Sequence, residues 1–524
     1  MSTSSRAARN SSTVAIIGNM TRNSRPAAAV NARKRRLLSQ TALDYLRRLK
    51  DPRVKIRFDI VEVLLADGRR RWLRIRKVPF TDDDGRISGI LTVFDDITDE
   101  RRRHDRPERP SHGSLRTRLV RTDPGIVQEG TVAANRAYPR AMKTERYSPE
   151  LMAASRNWTP RPTLPGTAYT SDEVWKDELA KVWFGGWVCV GRSEEIGAPG
   201  DFLVRDVAGE SIFLCRNRDG VLRGFYNVCS HRGTKFLDDD ACGNAKKAFA
   251  CPYHGWTFDL DGNLVGTPNV KEDESFDRSK YPLHPVAVGE YAGFLFANLD
   301  GNAGPLMDVL SSGAESLTGF ERFHMEDLRI GGRIVYEVQA NWKIVVENYN
   351  ECLHCPSVHP ELVQVVPIYR FGEIWDESRP EQGNVMKEGA TSFTPTGQST
   401  LPPFPGLDDE DYRAYYGVFQ FPNMMVNFHP DCIMYYIAYP HGPNATTVVS
   451  EFLFRPETIA DPSFAPQPVI EFWDLISRQD WGVCERAQTG VGSRAFTTGV
   501  YPRQDRLLFF FNQQYRRAMG QPEV

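Results

Sequence analysis

Two pairs of candidate metal ligands constrain the fold of this chain more than any other feature. They are Cys229-Ser-His231 and Cys251-Pro-Tyr-His254, and the alternating segment before them, DFLVRDVAGESIFLCRNRDGVLRGFYNVC, predicts a β-meander that leads into the first pair. Two thiolates and two imidazoles are the ligand set of a [2Fe–2S] cluster in which cysteines hold one iron and histidines the other. The ligand types alone leave a zinc site open as an alternative.

A second candidate metal site lies in residues 341–360, NWKIVVENYNECLHCPSVHP. Glu351 and His354 are three residues apart, so we expect them on one face of a helix. His359 follows just before Pro360, where that helix should end. Two imidazoles and a carboxylate from elsewhere in the chain would form the 2-His-1-carboxylate triad of non-heme Fe(II) oxygenases, which leaves positions open for oxygen and substrate.

Two other interpretations apply to the same stretch. A Glu or His on a half-buried helix is often a satisfied polar group. Cys352, His354, Cys355 and His359 are also a zinc ligand set, but structural zinc usually takes two separated ligand pairs, and these four residues lie within eight positions. The iron interpretation is therefore favoured.

Composition limits the class of protein. With 524 residues, of which 41% are hydrophobic, the chain is long enough for two or three domains. Its apolar runs are far shorter than the ~20 residues of a transmembrane helix, and nothing indicates binding to a membrane or a nucleic acid. The nine cysteines lack the spacing of a disulfide framework, which suits a reducing cytoplasm in which some of them hold a metal.

Charge separates the N-terminal part from the rest. Residues 1–150 contain 33 Lys and Arg against 18 Asp and Glu, whereas residues 151–524 contain 32 against 49. This asymmetry indicates separate modules. We expect a disordered basic tail over residues 1–32, a small module over 33–104 and a linker rich in Arg and Pro over 105–162.

The small module shows helical spacing over residues 33–50, and strand-like runs follow at 54–65, 71–80 and 87–94. The stretch ADGRRRWLRIRKVPFTDDDGRISGILTVFDDITDERR resembles the C-terminal half of a PAS domain, including its Asp-Ile-Thr exit. The resemblance implies a sensor or dimerisation module. A truncated PAS remnant is the alternative that we favour, because half a sheet leaves an open edge.

The two metal motifs together resemble one enzyme family. CSHRG and CPYHGW are similar to the ligand loops of Rieske [2Fe–2S] proteins, and NWKxxxENxxExxxHxxxxH follows them as in the terminal oxygenase α subunits of Rieske non-heme iron oxygenases. The resemblance runs from about Thr163 to the C-terminus. It implies an α+β fold, with an all-β Rieske domain over residues 163–300 and a helix-grip catalytic domain over 301–524, in which an antiparallel sheet wraps a long C-terminal helix.

Periodicity predicts the elements of this architecture. Strands are expected at GRIVYEVQAN, YGVFQFPNMMVNF, CIMYYIAYP and TTVVSEFLF, and a long helix at VIEFWDLISRQDWGVCERAQTGV. A further helix should begin after Ser171, whose side chain is a favourable N-cap.

The resemblance also implies a set of site residues. They are Cys229, His231, Cys251 and His254 for the [2Fe–2S] cluster, His354, His359 and Asp480 for a mononuclear Fe(II), and Glu351 for the carboxylate that bridges the two centres across a subunit boundary. Asp480 is chosen over Asp474 and Glu485 because RQDWGVCERAQTG resembles the ligand-bearing segment of the family. The other two carboxylates are expected on a solvated or salt-bridged face of the helix.

Glu351 also bears on the substrate, because ring-hydroxylating dioxygenases usually have Asp at this position. The stretch ENYNECLHCPSVHP is more similar to choline, glycine betaine and carnitine monooxygenases, which implies hydroxylation or demethylation of a quaternary ammonium substrate. Aromatic faces contribute about 0.5–2 kcal/mol each to binding such a cation. The candidates on the predicted strands are Tyr412, Tyr415, Tyr416, Phe419, Phe421, Phe428, Tyr435 and Tyr436. A ring-hydroxylating dioxygenase with an apolar substrate is the alternative.

The partners implied are O2, a small-molecule substrate, further copies of the chain in a homotrimer, and a separate NAD(P)H-linked reductase of flavin or ferredoxin type. The reductase is expected because no nucleotide-binding glycine fingerprint is present. A pure electron carrier or redox sensor is a different class of function, and the second iron site argues against it.

Overall fold

The computed structural model describes residues 57–64, 70–81, 87–96, 149–271, 275–311, 317–374 and 383–523. The chain divides into two compact units, Met1–Thr131 and Val132–Val524. In the first unit, β1 (Arg57–Leu64), β2 (Arg70–Thr81) and β3 (Ile87–Asp96) form an antiparallel sheet in sequence order. The three predicted strands are thus confirmed, while the expected tail, the helix over 33–50 and most of the linker lie outside the described residues.

The second unit begins with short elements that lead into its first sheet. They are α1 (Pro149–Arg156), β4 (Arg161–Pro162), α2 (Thr167–Thr170) and α3 (Asp172–Glu178). Ser171 caps α3 as expected, because its hydroxyl oxygen accepts from the backbone amides of Glu173 and Val174 at 3.2 and 3.4 Å. A π-helical turn, Leu179–Phe184, then connects α3 to the next strand.

Two antiparallel sheets form the expected all-β part. The larger has the order β5-β14-β13-β8-β7-β6-β9, and the smaller has the order β10-β11-β12. The strands are β5 (Val188–Arg192), β6 (Asp201–Val207), β7 (Glu210–Arg216), β8 (Leu222–Tyr226), β9 (Cys242–Asn244), β10 (Ala248–Ala250), β11 (Thr257–Asp259), β12 (Leu264–Gly266), β13 (Pro285–Tyr291) and β14 (Phe294–Asn298). An aromatic core around Phe213 and Phe249, with ring centroids 4.8 Å apart, packs between the sheets and includes Cys229 and Cys251.

A six-stranded antiparallel sheet and its helices form the rest of the unit. The sheet order is β15-β20-β19-β18-β17-β16. The strands are β15 (Arg329–Val338), β16 (Asn384–Val385), β17 (Ala414–Gln420), β18 (Met424–Phe428), β19 (Ile433–Gly442) and β20 (Ala445–Phe454), and β21 (Val500–Tyr501) pairs separately with β4. The helices are α4 (Leu306–Leu310), α5 (Trp342–Tyr349), α6 (Cys355–Val358), α7 (Pro360–Val365), α8 (Pro456–Ala460), α9 (Gln467–Val491) and α10 (Arg506–Ala518).

The two faces of this sheet have different partners. Met425 of β18 belongs to the core shared with α5 and α9, whereas Val426 and Phe428 belong to a core shared with the larger Rieske-type sheet. Phe294 of β14 and Tyr435 of β19 meet edge to face, with ring centroids 5.0 Å apart. Because successive side chains on a strand point to opposite faces, one face of the sheet is directed to α5 and α9 and the other to β14. The expected helix-grip fold is confirmed.

The stretch that carries Glu351 and His354 departs from the expected helix. Helix α5 ends at Tyr349, and both residues lie in the bend before α6. The Glu351 carboxylate accepts from the backbone amides of Leu353 and His354, and this bonding competes with continued helix formation. The short helix α6 ends at Val358, two residues before Pro360, and Pro360 itself begins α7, where its missing N–H costs nothing.

Cys352 and Cys355 form a disulfide across the same bend, with Cα atoms 4.9 Å apart. The sequence did not indicate this pair, because the cysteines lack the spacing of a disulfide framework. The bond also removes the zinc alternative for residues 341–360, because zinc binds thiolates. Among the described helices, none combines the length and the apolar character needed to cross a membrane.

Candidate metal centres

The two Cys/His loops fold as copies of one turn. In the first, the amide of Cys229 donates to the carbonyl of Thr234 at 2.9 Å, and the carbonyl of Cys229 accepts from Gly233 at 2.9 Å. The second loop repeats both bonds around Cys251, at 2.8 and 3.0 Å, with Gly255 in the place of Gly233. The two glycines have φ values of +69° and +72°, which side chains with a Cβ rarely adopt.

The side chains of these loops separate by chemistry. The thiols of Cys229 and Cys251 are buried and interact, and burial raises the pKa of Cys229. His231 is exposed, and its ring centroid lies 4.7 Å from that of His254. Partial loss of hydration and the charge of the neighbouring His254 lower the pKa of His231, which favours the neutral ring that metals bind. The loops therefore bring together two thiols on the inner side and two imidazoles on the outer side.

Trp256 packs against the same end of the domain. Its indole stacks on the His231 ring with centroids 4.4 Å apart and planes 8° apart. The Trp is buried and the His is not, so the indole supports the imidazole from below. The CPYHGW motif thus supplies two ligand candidates, Cys251 and His254, and the ring that orients His231 of the other loop.

A second centre forms where the bend after α5 meets α9. His354 Nε2 lies 3.2 Å from His359 Nε2, and Asp480 Oδ1 lies 2.7 Å from His359 Nε2 and 3.3 Å from His354 Nε2. His354 and His359 come from either side of α6, and Asp480 comes from the middle of the 25-residue α9. Residues 121 positions apart in sequence thus present three donor atoms to one point.

Each histidine of this centre has an acceptor behind its other ring nitrogen. Glu351 Oε1 lies 2.5 Å from His354 Nδ1, and Gln479 Oε1 lies 2.7 Å from His359 Nδ1. Burial would lower the pKa of His354, but its contacts with Asp480 and Glu351 outweigh burial and raise it to about 10. The same histidines lower the pKa of Asp480 against the effect of burial. The carboxylates of Glu351 and Asp480 therefore favour a positive charge at this centre.

The two other carboxylates weighed for the third ligand have partners elsewhere. Asp474 accepts from the Tyr336 hydroxyl and from Arg478, both at 2.9 Å. Glu485 accepts from the backbone amide of Gln339 at 3.3 Å. The structure brings Asp480, and neither of these two, to His354 and His359.

Sequence reasoning missed two polar residues near the centre. Gln479 directly precedes Asp480, so the RQD motif contained the signal. Asp505 comes from the turn before α10, and its pKa is raised to about 7 by burial and by the charges of Glu351 and Glu347. No local pattern links Asp505 to residues more than 150 positions earlier, so only the fold could reveal it.

The aromatic residues proposed from the strands divide between the two faces of the sheet. Tyr415, Phe419 and Tyr436 lie on the face directed to α5 and α9. The opposite face holds Tyr416, Phe428 and Tyr435, while Tyr412 packs against that core and Phe421 against the first. Tyr415, Phe419 and Tyr436 therefore face α9, which carries Asp480, and α5, which leads to Glu351.

Three parts of the chain match known domain families. Residues 325–521 match the ring-hydroxylating α subunit catalytic domain, residues 186–284 match the Rieske [2Fe-2S] domain, and residues 27–102 match the PAS fold. The carnitine monooxygenase oxygenase subunit of Acinetobacter baumannii is 34% identical over 337 residues, which cover 64% of this chain and 86% of that protein. The chain belongs to the Rieske oxygenase α subunits.

Two further relatives support this assignment. The glycine betaine monooxygenase oxygenase subunit of Chromohalobacter salexigens is 29% identical over 374 residues, which cover 65% of this chain and 82% of that protein. The crystal structure of the quaternary ammonium Rieske monooxygenase CntA matches with a TM-score of 0.57 and 28% identity, over 72% of this chain and 99% of that one.

Membership of the family establishes the class of enzyme. This Rieske oxygenase is an oxidoreductase with a [2Fe-2S] cluster and a mononuclear iron, as the Rieske and catalytic domains imply. It needs a reductase partner, a small-molecule substrate and O2. The prediction of an oxygenase with these two cofactors is confirmed.

Proposed function

We propose that this Rieske oxygenase is a monooxygenase that hydroxylates or demethylates a quaternary ammonium compound, with its mononuclear iron on His354, His359 and Asp480. The observation that carries the proposal is the convergence of His354 Nε2, His359 Nε2 and Asp480 Oδ1 within 3.3 Å of one another. Relatives named for carnitine and glycine betaine share most of their length with this chain and support the substrate class.

The donor set fits a mononuclear iron. A metal bound about 2.1 Å from each of three donors on one face of an octahedron separates those donors by about 3 Å, and the observed separations lie between 2.7 and 3.3 Å. Two imidazoles and one carboxylate leave the opposite face open. Iron bound there would supply the activation of O2, while the protein holds the donors and excludes competing ligands.

The [2Fe–2S] cluster is proposed to lie on Cys229, Cys251, His231 and His254. The buried thiols and the outward imidazoles support this arrangement, because the histidine-bound iron then lies at the surface, where an electron can leave. The described loops thus provide the full ligand set of a Rieske cluster.

Glu351 is proposed as the bridge between the two centres. Its carboxylate holds Nδ1 of His354, and its side chain is 15% exposed, so its outer side can be reached from a neighbouring molecule. We propose a homotrimer in which His254 of one copy approaches Glu351 of the next. Electrons enter the cluster from an NAD(P)H-linked reductase of flavin or ferredoxin type.

The substrate site is proposed between the sheet and α9. Tyr415, Phe419 and Tyr436 present aromatic groups on the face directed to the iron-bearing helix, and aromatic faces attract quaternary ammonium cations. The Tyr436 hydroxyl is 2.6 Å from Ser477 Oγ, one turn before Asp480 on α9, which places this ring next to the centre.

The iron assignment is tested by metal analysis of His359→Ala and His254→Ala in the full chain. We expect His359→Ala to lose the mononuclear iron and keep the Rieske absorption spectrum, and His254→Ala to show the reverse. The paired variants control for general misfolding, since each should keep the centre that the other loses. Wild-type iron content in His359→Ala would overturn the site.

The substrate class is tested with oxygen uptake in the presence of a surrogate reductase. A trimethylammonium compound and its neutral isostere, with carbon in place of nitrogen, have the same shape. We expect the isostere to bind roughly 10-fold or more weakly, because it lacks the cation–π attraction of about 0.5–2 kcal/mol per aromatic face. Equal affinity for both compounds would favour an apolar substrate instead.

A further inference from the structure

Gln479 bridges two side chains next to the proposed iron site. Its Oε1 lies 2.7 Å from Nδ1 of His359, and its Nε2 donates to Glu361 Oε2 at 3.3 Å. Gln479 lies on α9 directly before Asp480, and Glu361 lies at the start of α7, directly after His359 and Pro360. The three side chains are linked by hydrogen bonds in the order Glu361, Gln479, His359.

The direction of these hydrogen bonds fixes which nitrogen of the His359 ring carries the proton. A carboxylate only accepts, so the amide must turn its NH2 group to Glu361 and its oxygen to His359. The amide oxygen also only accepts, so Nδ1 of His359 must carry the proton. In a neutral ring the lone pair then lies on Nε2, the atom 2.7 Å from Asp480 Oδ1 and 3.2 Å from His354 Nε2.

The two histidines differ in the charge of their acceptors. His354 donates toward the carboxylate of Glu351, whereas His359, which is only 1% exposed, faces a neutral amide. Asp480 already places one carboxylate against both rings. A second carboxylate behind the buried His359 would add a charge that is costly to desolvate, and an amide orients the ring without that cost.

We propose that Gln479 is a positioning residue that fixes the tautomer and orientation of His359 for metal binding, and that Glu361 fixes the amide of Gln479. The inference rests on the proposed ligand role of His359. It gives the two iron-facing histidines different functions, since the acceptor of His354 faces the neighbouring subunit in the proposed trimer and the acceptor of His359 links α9 to α7.

The test measures Fe(II) and Co(II) affinity in full-length protein stripped of its mononuclear metal, with the Rieske spectrum as a check that the cluster is intact. Gln479→Leu removes the acceptor at similar size, and we expect it to weaken metal binding about 10–100-fold. Gln479→Glu combined with Glu361→Gln exchanges the carboxylate and the amide, so Nδ1 of His359 keeps an acceptor and no two carboxylates face each other. We expect this double variant to rescue affinity to within a few-fold. Glu361→Gln loosens the orientation of the amide and should give an intermediate loss.

Gln467→Leu is the matched control, because it makes the same substitution at an exposed position at the start of α9. It should leave metal affinity unchanged. The Co(II) absorption bands provide a readout that a purely structural role would not move, and they should shift in Gln479→Leu and return in the double variant Gln479→Glu with Glu361→Gln. Wild-type affinity in Gln479→Leu, or equal losses in Gln479→Leu and the double variant, would overturn the proposal. His359→Ala distinguishes the two levels: if it also keeps wild-type affinity, the iron site itself is wrong.

Discussion

At the scale of single residues, Glu351 stabilises the bend after α5 and also holds the ring of His354. Its carboxylate accepts from two backbone amides in the bend and from Nδ1 of His354, so it shapes the bend and holds the ring at once. A carboxylate on the outer nitrogen of a metal-bound imidazole also raises the basicity of that ligand. The proposed bridging role adds a third use of the same group.

Substitution of Glu351 should therefore reduce electron transfer before it reduces metal content. Glu351→Gln keeps size and some hydrogen bonding, and Glu351→Ala removes the bridge, so turnover should fall in both and further in Ala. Mononuclear iron should still load, because His354, His359 and Asp480 are unchanged. The measurement is single-turnover oxidation of the reduced cluster with substrate and O2.

Two outcomes of that experiment would contradict the assignment. Near-normal oxidation of the cluster in Glu351→Ala would exclude the bridging role. Loss of mononuclear iron from the same variant, at metal concentrations that still load Gln479→Leu, would instead make Glu351 a ligand and put Asp480 in doubt.

Asp431 gives a prediction about pH. It is 3% exposed, in the turn between β18 and β19, and burial raises its pKa to about 6 against the opposing effect of the Ser399 and Ser392 hydroxyls. A raised folded-state pKa means that the folded protein holds this proton more tightly than the unfolded chain. The stability from this group is present below about pH 4 and is lost as the pH rises to about 6, a total of about 3 kcal/mol.

Asp431→Asn should remove that loss. The stability of the variant relative to the wild type should rise by about 1 kcal/mol between pH 5 and pH 7. The measurement is the thermal midpoint of both proteins at each pH. Asp409→Asn, at an exposed position nearby, is the control and should show no such trend. A difference independent of pH for Asp431→Asn would show that this carboxyl titrates normally.

At the scale of elements, α5 is held in place by a buried ion pair. Lys343 contacts Glu178 of α3, and the two side chains are 0% and 1% exposed. Trp342 Nε1 and the Tyr515 hydroxyl also donate to Glu178, at 2.9 and 2.7 Å. Helix α5 leads directly into the bend with Glu351, so this network fixes the position of the proposed iron site relative to α3 and α10.

Breaking one side of this pair should be far more harmful than replacing both. Lys343→Met leaves the Glu178 carboxylate buried without a cation, and we expect a loss of about 3–5 kcal/mol. Lys343→Met combined with Glu178→Gln removes both charges and should recover most of that loss. Thermal midpoints and mononuclear iron content are the measurements, and a double variant as unstable as the single one would argue that packing, not charge, holds α5.

The elements also show what the sequence could predict. Spacing found His354 and His359 although the expected helix was wrong, because a bend stabilised by Glu351 brings the same residues together as a helical face would. The strands β17–β20 were found from their apolar runs, although both of their faces are buried and the segment YGVFQFPNMMVNF forms two strands, β17 and β18. The periodicity of α9 was clear because this helix buries one face. The role of Gln479 and the approach of Asp505 required the fold, because hydrogen bonds between distant elements leave no local period.

At the scale of the whole molecule, the catalytic unit includes residues before the Rieske match. Leu151 of α1 is 0% exposed, and the Trp158 indole meets the ring of Phe509 in α10 at 5.5 Å. Trp158 Nε1 also donates to the carbonyl of Tyr501, and β4 pairs with β21. The N-terminal segment over 149–162 is therefore part of the same packed structure as the C-terminal helix.

The last prediction concerns the N-terminal unit. If the PAS-like segment is a remnant, a chain that begins near residue 145 should fold, bind both metals and keep its oxygen uptake, because it retains α1 and β4. A chain that begins near residue 165 lacks Leu151 and Trp158, exposes the apolar surface that they cover on α10, and should lose several kcal/mol of stability. We would measure the thermal midpoint, the iron content and the assembly state of both truncated chains. Loss of activity or assembly in the longer chain would show that the PAS-like segment has a role in the working enzyme.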